Sequence, residues 1–308
     1  ADFRRDNGEA IRKVCREFVV LCRRLRLFSD GIVAIDGSKF KAVNNRDKNF
    51  TDRKLQARMQ QLEESIDRYL VDLDRADRQA SAVLPTRVAH LKDKIAKVGE
   101  QMKALEAVGQ RLQSREDRQI SLTDPDARSM ATSGRGTGIV GYNVQTAVDA
   151  KHHIIVAHEV TNVGHDRDAL AHMAKLARQA TGQRDLIALA DRGYFEGYEI
   201  LKCERAGIAA VVPRPLPSNS AAEGRFDRRD FVYDDTRDEY RCPAGQIAIR
   251  RFTSVEDGKT LHKYWPSACP RCPIKARCTS SDYRRITRWE HEDVLETINA
   301  AFHGSVVA

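Results

Sequence analysis

Gly31-Ile-Val-Ala-Ile-Asp-Gly-Ser38 is a short apolar run that stops at an acid and a glycine, and Leu186-Ile-Ala-Leu-Ala-Asp-Arg-Gly-Tyr194 repeats that pattern later in the chain. Runs of this kind read as strands buried on both faces. They predict that Asp36 and Asp191 each end a strand just before a glycine turn. A carboxylate at such an edge is poorly solvated unless a cation or hydrogen bonds compensate it. On neighbouring strands, two such carboxylates suit a hard divalent metal, which prefers oxygen ligands. Magnesium between paired carboxylates serves phosphoryl transfer, so chemistry on nucleic acid is the first expectation. The alternative is that each Asp only caps its turn.

The chain has 308 residues, enough for two or three units with ample core. Its 52 Lys and Arg against 44 Asp and Glu leave a net charge of +8, a balance that favours a polyanionic partner without proving one. No apolar run approaches a membrane span and no signal peptide is visible, so a cytoplasmic protein without a membrane partner is expected. The start at Ala1-Asp-Phe3 rather than Met reads as a processed or partial chain. Of seven cysteines, Cys15 and Cys22 lie on one amphipathic stretch, Cys203 sits in a predicted helix, and four gather between Cys242 and Cys278. Nothing suggests a secreted disulfide framework.

Ile11, Val14, Cys15, Phe18, Val19, Cys22 and Leu25 recur at helical spacing and predict one amphipathic helix, with both cysteines packing on its buried face. After Asn49 the pattern becomes a seam in steps of three and four: Leu55, Met59, Leu62, Ile66, Tyr69 and Leu73. Leu84, Val88, Leu91, Ile95, Val98, Met102 and Leu105 form a second. Ser81 to Thr86, with Pro85, reads as the turn of an antiparallel helical hairpin. Its charged face reads as solvated surface rather than a DNA contact. Gly134-Arg-Gly-Thr-Gly138 lacks P-loop spacing and reads as a loop. Tyr142–Val148 and Ile154–Val160 alternate about the Asp149 turn and predict a β-hairpin. A helix over Asp166–Ala180, the strand ending at Asp191, a helix near Tyr198–Arg205 and a strand over Ile208–Val212 follow.

With the helical hairpin set aside, the order is strand, strand, strand, helix, strand, helix, strand. That order fits an α/β fold with an RNase H-like mixed sheet, whose first and fourth strands lie side by side. Ile35-Asp-Gly-Ser38, Thr123-Asp-Pro-Asp126, Tyr142-Asn-Val-Gln145, Asp191-Arg-Gly-Tyr194 and Tyr240-Arg-Cys-Pro-Ala-Gly245 resemble transposases of bacterial insertion sequences, of the DDE type. The resemblance spans nearly the whole chain. It implies a catalytic core over residues 31–50 and 120–215, preceded by a helical segment over 1–30. The core is interrupted by a coiled-coil hairpin over 51–118 and followed by a zinc ribbon-like insertion over 225–282 and a truncated C-terminal helix over 283–308. It further implies that Asp36 and Asp191 are catalytic and hold Mg2+ or Mn2+, that double-stranded DNA is the partner, and that the protein forms a homo-oligomer on DNA at the nucleoid.

The family's third acid is a Glu, commonly in a Tyr-x2-Arg-x3-Glu-x6-Lys pattern. Here Tyr283 and Glu290 have that separation, but Ile286 and Thr297 replace the Arg and Lys. The third acid is therefore expected beyond residue 308, with Glu290, Glu292 and Glu296 as substitutes. Cys242, Cys269, Cys272 and Cys278 suggest a structural zinc site, with reduced unligated thiols as the alternative and His262 as a substitute ligand. Arg271, Lys275, Arg277, Arg284, Arg285 and Arg288 suit phosphate contacts, or are simply solvated. His152, His153, His158 and His165 read as surface residues, and Asp149 as a turn residue. Two readings compete with a transposase: a non-catalytic DNA-binding remnant, and an interaction module whose sheet is only a scaffold.

Overall fold

The computed structural model describes residues 6–28, 31–42, 46–78, 84–130, 138–215 and 223–305. Most of the glycine run Gly134–Gly138, the start of the Ser81–Thr86 turn and the last three residues lie outside these. The chain divides into two compact units, Ala1–Asp36 with Thr146–His158 and Asp166–Ala308, and Gly37–Gln145 with Glu159–His165.

The first unit opens with α1 (Gly8–Arg24) and holds β7 (Leu186–Ala190) and β8 (Ile208–Val211), together with Ile32–Asp36 of β1 (Ile32–Lys41), Thr146–Asp149 of β5 (Ile139–Asp149) and Ile155–His158 of β6 (Ile155–Thr161); the rest of those three strands belongs to the second unit. From β5 the strand order is β5-β1-β7-β8, with β6 and one further strand also pairing with β5. β7 lies parallel to both β1 and β8. β5 runs antiparallel to β1, as the Ala150 N–H bond to the Ile32 carbonyl and the Thr146 Oγ1 bond to the Asp36 carbonyl show. This is the order expected of an RNase H-like sheet.

Helices α4 (Leu170–Thr181) and α5 (Gly197–Arg205) cover one face. Leu170, Met173, Ala177, Ile200 and Cys203 pack there against Val33, Ile35, Leu186, Ala188 and Ile208 in one buried cluster. The other face is open: Ala34, Ile187, Leu189 and Ala209 are exposed. The expectation of strands buried on both faces is therefore corrected, because both helices pack on the same side. The expected turn at Gly37 is also absent, since β1 runs on through Gly37 and Ser38 to Lys41. In α1 the expected buried face narrows to Cys22, with Val19 partly packed, while Cys15, Ile11, Val14 and Phe18 are exposed. The helix meets the core along one edge only, so Cys15 is not a packing residue.

Gly31 fixes the meeting of β1 and β7. Its φ is +86°, and a Cβ there would run into the Asp185 carbonyl, while the Ile187 N–H donates to the Gly31 carbonyl at 2.7 Å. Only glycine allows both the left-handed backbone and the close approach.

The same unit carries a second sheet, antiparallel throughout, of β9 (Val232–Asp234), β10 (Glu239–Arg241), β11 (Ile247–Glu256), β12 (Lys259–Trp265) and β13 (Ile286–Trp289), in the order β13-β12-β11-β10-β9. Its core is small: Phe231, Tyr240, Ala248, Tyr264 and Ile286. The hydroxyls of Tyr233 and Tyr264 both donate to Asp238 Oδ1, at 2.8 and 2.5 Å. Residues 283–308, expected as helix, begin instead with β13, and α6 (Glu292–Ser305) starts later.

The two sheets of this unit are joined at Trp289, whose ring meets Tyr198 edge-on at 5.2 Å. Gly197 leaves room for that ring; a Cβ there would stand 2.9 Å from it. Lys259 Nζ bonds Glu196 Oε1 at 2.5 Å, and Glu196 also caps α5. At the start of α6, Glu292 is buried at 3% side-chain exposure between Arg214 at 2.7 Å and Arg228 at 2.9 Å, and it accepts the Trp289 N–H. Burial alone would raise its pKa, but the Arg228 and Arg214 charges outweigh burial and hold it below 4.5.

In the second unit, β2 (Asn49–Thr51) and β3 (Gln119–Ser121) pair antiparallel at the base of α2 (Asp52–Asp77) and α3 (Leu84–Gln113). The helices therefore run antiparallel. Thr51 accepts the Lys54 N–H and caps α2. Leu55, Met59, Leu62, Ile66, Tyr69 and Leu73 are buried or half-buried, as are Val88, Leu91, Ile95, Val98, Met102 and Leu105, so the seam faces inward as its spacing predicts. Phe50, Val108, Leu112 and Ile120 form the core at the base. The segment Thr123-Asp-Pro-Asp126 is pinned by Tyr142, whose hydroxyl donates to Asp124 at 2.9 Å, and by Arg128, which donates to the Pro125 carbonyl at 2.7 Å. β4 (Arg128–Met130) follows and pairs antiparallel with β5. Among the described residues no helix is long and apolar enough to cross a membrane.

Two consequences are measurable by chemical denaturation. Gly31→Ala should cost about 3 kcal/mol, from the left-handed backbone and the clash at the β1–β7 contact. Glu292→Gln should cost about 3 kcal/mol at neutral pH by leaving two arginines without their anion. Because the folded carboxyl titrates below its unfolded value, its contribution is present above pH 4.5 and lost as pH falls through the folded pKa. The variant should lack that acid-dependent component.

Candidate active site

Asp36 and Asp191 are placed by the register of β1 and β7. The last paired residues are Ile35 and Ala190, and each acid is the next residue along its strand direction. Neighbouring strands lie about 4.8 Å apart, and in-register residues face the same side. Alternation puts Asp36 with Ala34, and Asp191 with Ile187 and Leu189, on the open face, and both acids are exposed. The strand pairing thus brings the two acids together, as the sequence led us to expect.

Their local settings differ. Asp36 lies within a continuing strand, and Thr146 Oγ1 donates to its carbonyl at 3.3 Å. Asp191 ends its strand and caps the one-turn helix Arg192–Tyr194, its Oδ1 accepting the Gly193 N–H at 2.8 Å. The cap orients that carboxylate, which keeps lone pairs for a second partner. Turn cap and site residue are compatible roles at Asp191. Two exposed carboxylates on adjacent strands form an oxygen donor set that fits a hard divalent cation. Among the described residues, no group of three or more His, Cys, Asp and Glu is arranged to hold a metal ion.

Of the substitute acids, Glu292 and Glu296 are engaged in ion pairs. Glu292 is held by Arg214 and Arg228. Glu296 pairs with Arg288 at 2.6 Å. Glu290 is exposed, and its N–H donates to the Thr260 carbonyl.

Cys242, Cys269, Cys272 and Cys278 come from three separate segments to line one cavity of about 20 Å³, which Lys275 and Arg284 also line. Burial raises the pKa of Cys278; Arg284 opposes that rise, and the other three sulfurs add to it. His262 lies apart from the four, its Nδ1 hydrogen-bonded to Thr253 Oγ1 at 3.0 Å. Of the expected phosphate contacts, Arg271, Arg277 and Arg285 are exposed, Arg277 over the Phe226 ring at 4.9 Å and Arg285 over Trp265 at 5.6 Å. Arg284 and Lys275 are half-buried. Arg288 is unsuited to that role: it is buried over the Tyr233 ring at 3.8 Å and spent on Glu296. His152, His153, His158 and His165 are exposed, and Asp149 accepts the Lys151 and His152 N–H groups as a turn residue does.

Glu196, Lys259 and Trp289, which brace the segment after Asp191, were not foreseen. The available signal was Gly197, a second glycine closely following the Asp191-Arg-Gly-Tyr194 turn.

Residues 113–262 match the family model described as the transposase DDE domain. No curated protein and no solved structure matches the chain. The matched stretch holds Asp191, while Asp36 lies upstream of it. Transposases of this family bind DNA and generally use divalent metals such as Mg2+. The match over residues 113–262 supports a DDE-type transposase.

Proposed function

We propose that this chain cuts DNA at the ends of an insertion sequence and joins them to a target, with Asp36 and Asp191 as two of the acids that hold the divalent metal. The observation that supports the reading is the β1–β7 register, whose last pair, Ile35 with Ala190, immediately precedes the two acids. Bound between such carboxylates, magnesium or manganese supplies Lewis-acid stabilisation of the charge that develops on the phosphoryl oxygens. The chain's own residues orient the acids: the Gly193 N–H fixes the Asp191 carboxylate, and β5 holds the Asp36 backbone through Thr146.

Arg271, Arg277 and Arg285 are the side chains we assign to phosphate contact, since all three are exposed, with Arg277 over the Phe226 ring and Arg285 over the Trp265 ring. Double-stranded DNA at the nucleoid is the partner, and assembly of copies on it brings two ends together. A second reading is favoured by one observation, that no third acid joins the pair among the described residues. On that reading the chain binds DNA without cutting it.

The test is nicking of supercoiled plasmid in manganese. The chain should nick, and Asp36→Asn and Asp191→Asn should each slow nicking by about 100-fold or more, as loss of metal-centred stabilisation implies. DNA affinity should be retained by both variants. Absence of nicking by the unaltered chain, with salt-dependent binding intact, favours the second reading. Arg285→Ala should weaken binding equally on all sequences and lower the slope of log affinity against log salt by about 1.

A further inference from the structure

We propose that Cys242, Cys269, Cys272 and Cys278 form a structural zinc site that cross-links the second sheet. The four cysteines are spread along the chain yet line one cavity. Cys242 follows β10, Cys269 and Cys272 lie in a short turn after β12, and Cys278 precedes β13. A cavity of about 20 Å³ has room for one water-sized sphere, and so for a single ion but for no organic ligand.

The chemistry of the lining selects the ion. Phe231, Pro266, Ala268 and Ile274 surround the four cysteines, with Gln246 and Thr279 as neutral polar neighbours, so the thiols are the lining groups that can become anionic donors. Four thiolates suit zinc and exclude magnesium or calcium. Lys275 and Arg284 bring positive charge to the same cavity, which offsets the net charge of about −2 on a zinc ion with four thiolates.

The turns are already of the tight kind that presents a thiolate. Gly245 has φ +71° and donates to the Cys242 carbonyl at 2.8 Å. The Cys272 N–H donates to the Cys269 carbonyl at 3.2 Å, and the Cys278 N–H to the Lys275 carbonyl at 2.9 Å. Ligation requires the sulfurs to close on the ion, because no three of them yet stand at metal-holding distance. A change of χ1 well carries a cysteine sulfur across a cavity this small. Each ligating thiol gives its proton to solvent as its bond to zinc forms.

The sheet also lacks much else to hold it. Its core has five buried residues, and β11 is exposed at most positions. Sheets with so little core are commonly held by a metal or disulfide staple. The inference does not depend on the nuclease reading.

The experiment is elemental analysis of the full chain, purified without added metal and dialysed free of loose ions. About one zinc per chain is expected, in keeping with one closed four-ligand site. Cys242→Ser and Cys272→Ser should lose most of it, while Cys15→Ser, on exposed α1, should keep it. Because a serine variant can misfold, the unaltered chain is also stripped with a chelator and loaded with Co2+. An intense thiolate-to-cobalt charge-transfer band with tetrahedral d–d bands is expected. An unaltered chain with no zinc and no such band overturns the proposal, as does zinc content unchanged in the cysteine variants.

Discussion

Parallel pairing of β1 with β7 is the contact on which the placement of Asp36 and Asp191 rests. The two strands are far apart in sequence, and nothing local holds them together. Their union depends on Gly31, where the backbone turns left-handed and passes against the Asp185 carbonyl, and on alternate residues that bury into one helical layer. Once that register is set, Asp36 and Asp191 each follow the last pair, Ile35 with Ala190. A slip of one residue would turn one of them toward α4 and α5.

Legibility in the sequence followed physical locality. The strand ending at Asp191 and the helix and strand after it fell close to where apolar runs and periodicity put them, and the helical seam faces inward as its three-four spacing requires. The Asp191 cap was readable because its apolar run stops at an acid followed by a glycine, whereas the continuation of β1 beyond Asp36 was not. What was not readable depends on layers. An apolar run such as Leu186–Ala190 looks the same whether one face is covered or two, so the open face appeared only in three dimensions. Cys15 has helical spacing, yet α1 touches the core by a single edge. Arg288 sat in a basic run, and only the fold showed it buried against Tyr233 and Glu296.

Charge is used differently in the two halves of the first unit. At the sheet edge the acids stay exposed, where water limits the cost of bringing two negative groups near each other. Around α6 the opposite holds. Glu292 is nearly sealed from water and survives as an ion because two arginines meet it. Its neighbour Trp289 joins the second sheet to α5, and α5 begins soon after Asp191. The Lys259–Glu196 pair fastens the same join. The segment that carries the second acid is thus braced by elements from much later in the chain.

The clamp of β2 against β3 changes what kind of insertion the helical arm is. Because the arm leaves and returns through paired residues Asn49–Ser121 and Thr51–Gln119, its two ends are fixed as neighbours whatever lies between them. Loop-closure entropy grows only slowly with length, so the clamp meets nearly the same cost for a short arm or a long one. Adding or removing whole heptads would shift the tip by a set distance while the seam and the clamp stay in phase. The arm's two ends therefore stay paired at β2 and β3 whatever its length.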